Sequence, residues 1–200
     1  MGAGWYDAHM PVLQAVAAIV LFLNLPIPLY WFVLHPFGAF WRTRLRAAYA
    51  TALLCSWLPV TVATIAFRRQ LFRRDWPPVA AIVGGAALLV FESWIFWRVR
   101  RDLGGSRLVG QAELQGRGEL QLRGVYARMR HPRYVGSLLA IIGACLLAGT
   151  RGMWIVAAVW AVLTFASVLL EEREMRVRFG AEYDEYCRRV PRFWPAGRGK

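Results

Sequence analysis

The chain has 200 residues, of which 58% are hydrophobic, and its formal net charge is +13. This hydrophobic share exceeds the roughly 45–50% that is usual in soluble domains, and it is concentrated in long blocks, which excludes an ordinary soluble fold. Nearly all the arginines lie in short segments between those blocks, where such residues set topology and contact anionic lipids. We therefore predict contacts with membrane lipids and no nucleic-acid partner.

Five apolar blocks follow one another along the chain, and most approach the ~20 residues that a membrane-crossing helix needs. The first block contains Pro26 and Pro28, which remove backbone donors and predict a kink. The fourth block is short, and the turn-forming sequence "GTRG" separates it from the fifth. The blocks cover residues 11–34, 47–67, 79–97, 134–148 and 153–170.

These blocks predict an all-α, polytopic integral membrane protein with about five transmembrane helices and a single domain over residues 1–200. Residues 1–97 would form three N-terminal membrane helices. Residues 98–200 would form a core with helices four and five and a C-terminal helix, because helical spacing of apolar residues continues after the fifth block.

The charge distribution predicts the orientation. The segment 98–133 carries nine arginines and three acids, so the positive-inside rule places it and the C-terminal helix in the cytoplasm. One segment, "FRRQLFRRDW" (residues 67–76), disagrees, because its four arginines would then face outward. A single lysine among so many arginines favours a prokaryotic inner membrane.

The short turn before the fifth block predicts that blocks four and five form an antiparallel hairpin. The sequence "RHPRY" at the start of block four and "LLEEREM" at the end of block five then lie at the same membrane depth. We therefore expect His131 and Glu171 to line a common cavity at the membrane interface.

Several of these polar residues also have a purely structural interpretation. The arginines of "RMRHPRY" could anchor the helix at the interface by snorkelling, and the paired glutamates could bind Arg173 and Arg176 on a solvated face. Glu92 differs because it lies inside the apolar run "LLVFESWIF", where an acid is costly and usually functional, unless a loop arginine pairs with it. The three cysteines have no metal-binding spacing, so we predict no metal site.

Two linked motifs, "RGVYARMRHPRYVGSLL" (residues 123–139) and "EEREMRVRFGAEYDEYCRRVPRFWP" (residues 171–195), resemble the isoprenylcysteine carboxyl methyltransferase family. The shared elements are GVYxxxRHPxYVG, EE, FGxxYxxY and RVP at compatible spacing, and the resemblance covers residues 111–195. The RHPxY core is similar to the wider group of phospholipid N-methyltransferases and membrane steroid reductases. The resemblance implies S-adenosyl-L-methionine as the cofactor, bound at the cytoplasmic end of the last helices, and a lipophilic substrate that enters from the bilayer.

The resemblance also implies roles for individual residues. Arg130 matches the arginine that lies near the reacting carboxylate, and Glu171 would hold a polar end of the cofactor. The strand-like "LQL" (residues 120–122) would contact the cofactor through its backbone. The implied cofactor contacts are Gln111, Leu120, Gln121, Tyr126, His131, Pro132, Tyr134 and Glu171.

Two positions depart from the family pattern. Gly118 stands where the eukaryotic relatives have a histidine, and Ser167 stands where they have a substrate-binding arginine. A carboxylate substrate would therefore need Arg130 or Arg189 as its main counter-charge.

The resemblance favours methylation of the carboxylate of an isoprenylcysteine-like substrate, because the elements GVY, RHP, EE, FG and RVP are closer to that family. A carboxylate is already ionised and needs only to be aligned with the donor. The alternative is methylation of a phospholipid or another lipophilic amine or thiol, in which Glu92 or Glu172 would act as a base or bind a cationic head group. An NADPH-dependent membrane reductase and a non-enzymatic membrane scaffold or transporter are further alternatives. The physiological acceptor and the oligomeric state are not indicated by the sequence.

Overall fold

The computed structural model describes residues 3–41, 43–72, 77–104 and 119–194. Within these ranges it contains helices and no β-strand, which confirms the all-α prediction. The helices are α1 (Ala3–Asn24), α2 (Pro26–Leu34), α3 (Gly38–Trp41), α4 (Leu45–Ala66), α5 (Arg68–Leu71), α6 (Val79–Leu103), α7 (Pro132–Ala148), α8 (Arg151–Phe179) and α9 (Ala181–Arg189), with a 3-10 turn at Gly124–Ala127 between α6 and α7.

In the part of the chain that the structure describes, four helical passages are long and apolar enough to cross a membrane. Helix α7 is also apolar but has 17 residues, about 25 Å at 1.5 Å per residue, slightly less than the ~30 Å of a hydrocarbon core. Many large apolar side chains on the outer faces of the long helices are exposed, as surfaces that contact lipid require. The chain is an integral membrane protein, with its long passages at Val12–Leu34, Leu45–Ala66, Val79–Leu103 and Arg151–Phe179.

Two details differ from the sequence-based prediction. Helix α6 does not end at Trp97 but continues to Leu103, and the guanidinium of Arg101 lies 5.1 Å from the ring centroid of Trp97 in the added turn. Helix α8 continues from the apolar block into the charged segment, as the helical spacing predicts, but it ends at Phe179, and Gly180 with a φ of 52° separates it from α9. Residues 120–122, the "LQL" segment, lie in no helix or strand within the described part of the chain, and their backbone contact with a cofactor stays a prediction.

The predicted kink is present as a break between α1 and α2 at Leu25. Pro28 has no N–H to donate to the carbonyl of Asn24, and the Nε1 of Trp160 donates to that oxygen instead at 3.0 Å. The Oγ of Ser167 donates to the carbonyl of Pro28 at 3.2 Å. Helix α8 therefore replaces one hydrogen bond that a proline removes and adds a second one, so the break is joined firmly to it.

Helices α6 and α7 cross closely where Gly85 faces Gly143. A Cβ on Gly85 would lie 2.9 Å from the carbonyl oxygen of Gly143, so only a glycine allows this distance. Small residues at a crossing let the two backbones approach, as is typical of membrane helices.

The predicted hairpin between α7 and α8 is confirmed. Gly149 closes α7 in the left-handed region with φ 66°, and the Oγ1 of Thr150 caps α8 by accepting from the N–H of Met153 at 3.3 Å. The same hydroxyl donates to the carbonyl of Leu71 at 2.8 Å. The segment after α4 therefore lies beside the hairpin turn, at the end of the bundle opposite to the open ends of α7 and α8.

Candidate functional site

A cavity with about 970 Å³ of empty space, counting its open part, lies where α2, α6 and α8 end and α7 begins. We call it the polar cavity, and its walls are formed by Trp31, His35, Leu103, Glu119, Leu120, Gln121, Tyr126, Arg130, His131, Pro132, Arg133, Tyr134, Glu171, Glu174, Met175, Arg178, Phe179, Tyr183 and Tyr186.

The hairpin brings His131 and Glu171 into this cavity, as the short turn between blocks four and five predicts. The Nδ1 of His131 lies 3.9 Å from the Oε2 of Glu171, and the hydroxyl of Tyr134 donates to the same oxygen at 3.0 Å. The side chain of Glu171 remains 32% exposed, so the carboxylate is oriented by Tyr134 but still accessible to a ligand. The predicted residues Leu120, Gln121, Tyr126 and Pro132 line the same cavity.

The start of α7 is held in place from the C-terminal side of the chain. His131 is the residue before α7 and Pro132 is its first residue, a position where the missing N–H of proline costs no helical hydrogen bond. The N–H groups of Arg130 and His131 donate to the carbonyls of Pro191 and Arg192 at 2.9 and 3.0 Å. The segment after α9 therefore fixes the backbone that carries both side chains.

Glu172 is the centre of a buried ion cluster behind the cavity wall. Its side chain is 1% exposed, and its carboxylate contacts the Nη1 of Arg130 at 3.0 Å and the Nε2 of His131 at 3.1 Å. Arg192 binds it with two hydrogen bonds, from Nε at 2.9 Å and from Nη2 at 2.7 Å. Bidentate pairing of this kind is among the stronger charged contacts.

This pairing differs from the solvated face that the sequence alone could suggest. The partners of Glu172 come from the start of α7 and the C-terminal segment, while Arg176 on the same helix approaches only to 3.9 Å. The hydrogen bond to Glu172 raises the pKa of Arg192. Because two guanidiniums and a histidine hold its carboxylate, Glu172 is poorly placed to act as a base.

Arg130 lines the polar cavity but is not directed at it alone. Its Nη1 also donates to the Sγ of Cys187 at 2.6 Å, and its side chain is 10% exposed. Two guanidiniums, from Arg130 and Arg192, face the single carboxylate of Glu172 at hydrogen-bond distance. The two arginines and one glutamate therefore leave one positive charge in excess at this wall, which suits the binding of a negatively charged group.

The wall opposite α8 depends on a glycine of the GVY motif. Gly124 has a φ of 64°, and a Cβ there would lie 2.0 Å from the Oδ2 of Asp102. That carboxylate accepts from the N–H of Val125 at 2.9 Å, and the carbonyl of Asp102 accepts from the side chain of Gln121. The end of α6 thereby holds the segment that carries Gln121 and Tyr126, whose carbonyl accepts from the hydroxyl of Tyr186 at 2.7 Å.

A second histidine–glutamate pair, which the sequence interpretation missed, lies in the same cavity. His35 follows the last residue of α2, and its Nδ1 contacts the Oε2 of Glu174. The imidazole stacks on Trp31 with ring centroids 4.9 Å apart. Helical spacing of Glu171, Glu174 and Arg178 on one face of α8 was a usable signal, whereas the approach of His35 depends on how α2 packs.

A separate opening, which we call the lateral groove, lies between α1, α2, α6 and α7 within the membrane-crossing part. Glu92 lies in this groove and not in the polar cavity, and its side chain has no ion-pair partner among the described residues. Arg133 borders both openings, and its guanidinium lies 6.0 Å from the ring centroid of Trp31. The groove is lined by Val20, Leu23, Asn24, Ile27, Leu89, Glu92, Ser93, Ile95, Phe96, Arg133, Gly136, Ser137 and Ala140.

Four positions singled out in the sequence are not among the described residues of the cavity wall. Arg189 is exposed on α9, where it pairs with Glu185 at 3.3 Å, and it does not line the cavity. Gln111 and Gly118 lie outside the described residues. Ser167, which stands where relatives carry an arginine, is buried against the carbonyl of Pro28. The structure describes no group of three or more metal-binding side chains within its ranges.

Comparisons with known proteins agree with the resemblance of the motifs. The chain is 29% identical to the protein-S-isoprenylcysteine O-methyltransferase of Rattus norvegicus over 98% of this chain and 66% of the rat protein. It is 37% identical to methanethiol S-methyltransferase 1 of Bradyrhizobium diazoefficiens, over 36% of this chain and 24% of that protein. It is 31% identical to the nickel-cobalt-cadmium resistance protein NccN of Alcaligenes xylosoxydans, over 36% of this chain and 34% of that protein.

The chain thus spans slightly less than two thirds of the rat relative and smaller parts of the bacterial ones. No solved structure matches it. The model of the phospholipid methyltransferase family matches residues 80–182, which is slightly more than half of the chain and includes α7 and α8. The chain therefore belongs to the phospholipid methyltransferase family.

Proposed function

We propose that this chain is an integral-membrane methyltransferase that transfers a methyl group from S-adenosyl-L-methionine to a lipophilic acceptor. The observation that carries this proposal is the meeting of two openings at the start of α7. The polar cavity on one side and the apolar-walled lateral groove on the other share Arg133. A polar, charged donor and a lipid acceptor need adjoining sites of this kind.

The polar cavity suits the donor, which carries a cationic sulfonium, an amino group and an aromatic base. Glu171, oriented by Tyr134, offers a partly exposed carboxylate for a positively charged end. The rings of Tyr126 and Tyr183 offer surfaces for the base. We assign donor contacts to Leu120, Gln121, Tyr126, His131, Pro132, Tyr134 and Glu171, with Gln111 as a further family-based contact.

The donor supplies a methyl group bound to a sulfonium, and the remaining thioether is the leaving group. The protein must then align acceptor and methyl group, which can contribute several kcal/mol through positioning. A water-poor cavity favours the reaction because charge is neutralised as the bond forms. Arg130 would hold a negatively charged acceptor through the positive surplus that it shares with Arg192 and Glu172.

The acceptor that the residues favour is the carboxylate of an isoprenylcysteine-like lipid, in keeping with the similarity to the rat enzyme over nearly the whole chain. A second candidate is a phospholipid or another lipophilic amine or thiol, favoured by the half-buried carboxylate of Glu92 in the lateral groove. We propose that either acceptor enters from the bilayer through this groove. By the positive-inside rule we place the polar cavity and the C-terminus in the cytoplasm of a prokaryote, with the helices in the inner membrane.

The test is a thermal-shift titration of the purified protein with S-adenosylhomocysteine. We expect stabilisation of the parent and of Glu185→Gln, a matched exposed carboxylate outside the cavity, and little or none of Glu171→Gln. Labelled methyl transfer to N-acetyl-farnesylcysteine and to phosphatidylethanolamine then separates the two acceptors. Stabilisation by NADPH and not by S-adenosylhomocysteine would overturn the proposal in favour of a reductase.

A further inference from the structure

The pair formed by His35 and Glu174 has the geometry of a proton acceptor. Glu174 has a guanidinium nitrogen of Arg178 at 4.0 Å, and as a carboxylate it can only accept hydrogen bonds. The Nδ1 of His35 is then the donor to Glu174. In the neutral imidazole, this arrangement leaves the lone pair on Nε2.

That lone pair has no partner. The side chain of His35 is 6% exposed, and its Nε2 is buried without a hydrogen-bond partner among the described residues. Buried polar atoms in proteins are nearly always satisfied, so this atom in the wall of a cavity is open to a partner from a bound molecule. The Oε2 of Glu174 and the stacked ring of Trp31 keep the imidazole from rotating away.

The position of His35 relates it to both openings. Trp31 stacks on His35. The guanidinium of Arg133, which borders both the polar cavity and the lateral groove, lies 6.0 Å from the ring centroid of Trp31. His35 therefore lies in the wall of the polar cavity, and Trp31 connects it to Arg133 at the border with the lateral groove.

We propose that His35 and Glu174 act as a general base that lets this methyltransferase also use a lipophilic thiol, an acceptor that arrives protonated. This inference rests on the proposed methyltransferase function. A carboxylate needs no such base, because it is already ionised, whereas a thiol with a pKa of about 8.5 is mostly protonated at neutral pH. The base would therefore matter for one acceptor class and not for the other.

The step is balanced in atoms and charge. The S–H bond of the thiol breaks and its proton moves to the Nε2 of His35, while the thiol sulfur forms a bond to the methyl carbon. The bond from that carbon to the donor sulfonium breaks, and the donor sulfur keeps the electron pair. The positive charge that leaves the donor appears on the imidazolium, where Glu174 compensates it.

A thiol fits this arrangement better than an amine does. A lipid amine arrives mainly as an ammonium ion, which would bring a second cation beside the donor sulfonium and close to Arg133 and Arg178. A thiol is neutral on arrival and becomes a neutral thioether. Only its transferred proton carries charge, and that charge is placed next to Glu174.

The test compares two acceptors with the same prenyl tail, farnesyl thiol and N-acetyl-farnesylcysteine, in full-length protein. His35→Asn keeps a side-chain N–H that can donate to Glu174 but has no basic nitrogen. We expect it to lower kcat/KM for the thiol about 10- to 100-fold and to reduce carboxylate methylation far less. Glu174→Gln should act in the same direction, and Glu185→Gln is the control.

Each outcome decides the proposal. Equal losses with both acceptors would overturn it, because they would show that His35 joins α2 to α8 or contacts the donor. Methyl transfer by the parent to the carboxylate but not to the thiol would overturn it too, while leaving the methyltransferase function intact. A parent that binds no S-adenosylhomocysteine and methylates neither acceptor would refute the proposed function itself. A thermal shift with S-adenosylhomocysteine that is retained in His35→Asn shows that the variant is folded.

Discussion

The ion cluster around Glu172 and the lateral groove around Glu92 place an acid in opposite surroundings. Glu172 is almost fully buried and bound by two arginines and a histidine. Glu92 is half-buried among mainly apolar side chains and has no ion-pair partner in the described part of the chain. The first acid is a structural centre on which the cavity wall depends, whereas the second is available to a ligand. The role of a buried acid is therefore indicated by its partners and not by its burial alone.

Glu172→Gln tests the more strongly paired of the two acids, and we expect the largest effect from this variant. Removing the charge leaves Arg130 and Arg192 buried or half-buried without compensation, and loss of one partner from a buried pair typically costs about 3–5 kcal/mol. We expect a loss of that order in the free energy of unfolding, measured by reversible unfolding in mixed micelles. Glu185→Gln, in an exposed ion pair, should show no measurable change. An equally small effect of Glu172→Gln would mean that the cluster does not support the wall.

Tyr134→Phe tests whether Tyr134 orients the carboxylate of Glu171 in the polar cavity. The variant keeps the ring but loses the hydrogen bond to Glu171, and a bond of this kind to a charged group is worth about 1.5–3 kcal/mol at most. We expect the affinity for S-adenosylhomocysteine to fall roughly 5- to 50-fold, measured by isothermal titration calorimetry. Unchanged affinity would show that Tyr134 does not orient the carboxylate for the donor.

Glu92→Gln tests the groove. Because Glu92 has no ion-pair partner within the described residues, the amide should leave the folded state as stable as before or slightly more stable, since an unpaired charge in an apolar setting is costly. The KM for the lipophilic acceptor should change several-fold, while the affinity for S-adenosylhomocysteine stays the same. A change in donor affinity with no change in acceptor KM would contradict the assignment of the groove.

Arg189→Ala should have the smallest effect. The family pattern made Arg189 a candidate counter-charge for a carboxylate, but its side chain is 63% exposed and pairs with Glu185 on α9. Exposed pairs contribute little, so we expect kcat/KM for N-acetyl-farnesylcysteine to stay within about twofold of the parent. A tenfold loss would show that α9 moves towards the cavity when the acceptor binds.

Much of the candidate site could be predicted because local pattern and short connections determine it. Hydropathy predicted the apolar passages, the proline pair predicted the break after Asn24, and the turn at Gly149 predicted the hairpin. A tight hairpin leaves little freedom, so His131 and Glu171 had to lie at the same depth. The resemblance of the motifs added Leu120, Gln121 and Tyr126, which do line the same cavity, although their contact with a donor stays a prediction.

The tertiary structure alone decided which side chains pair. Hydrophobic period and turn chemistry are local, but the partner of a charge depends on which helices pack together. His131 and Glu172 are 41 residues apart, and His35 and Glu174 are 139 residues apart. No spacing rule links such positions. For the same reason Ser167 could be read in the sequence only as a missing arginine, whereas in the fold it hydrogen-bonds to the carbonyl of Pro28 and ties the broken helix to α8.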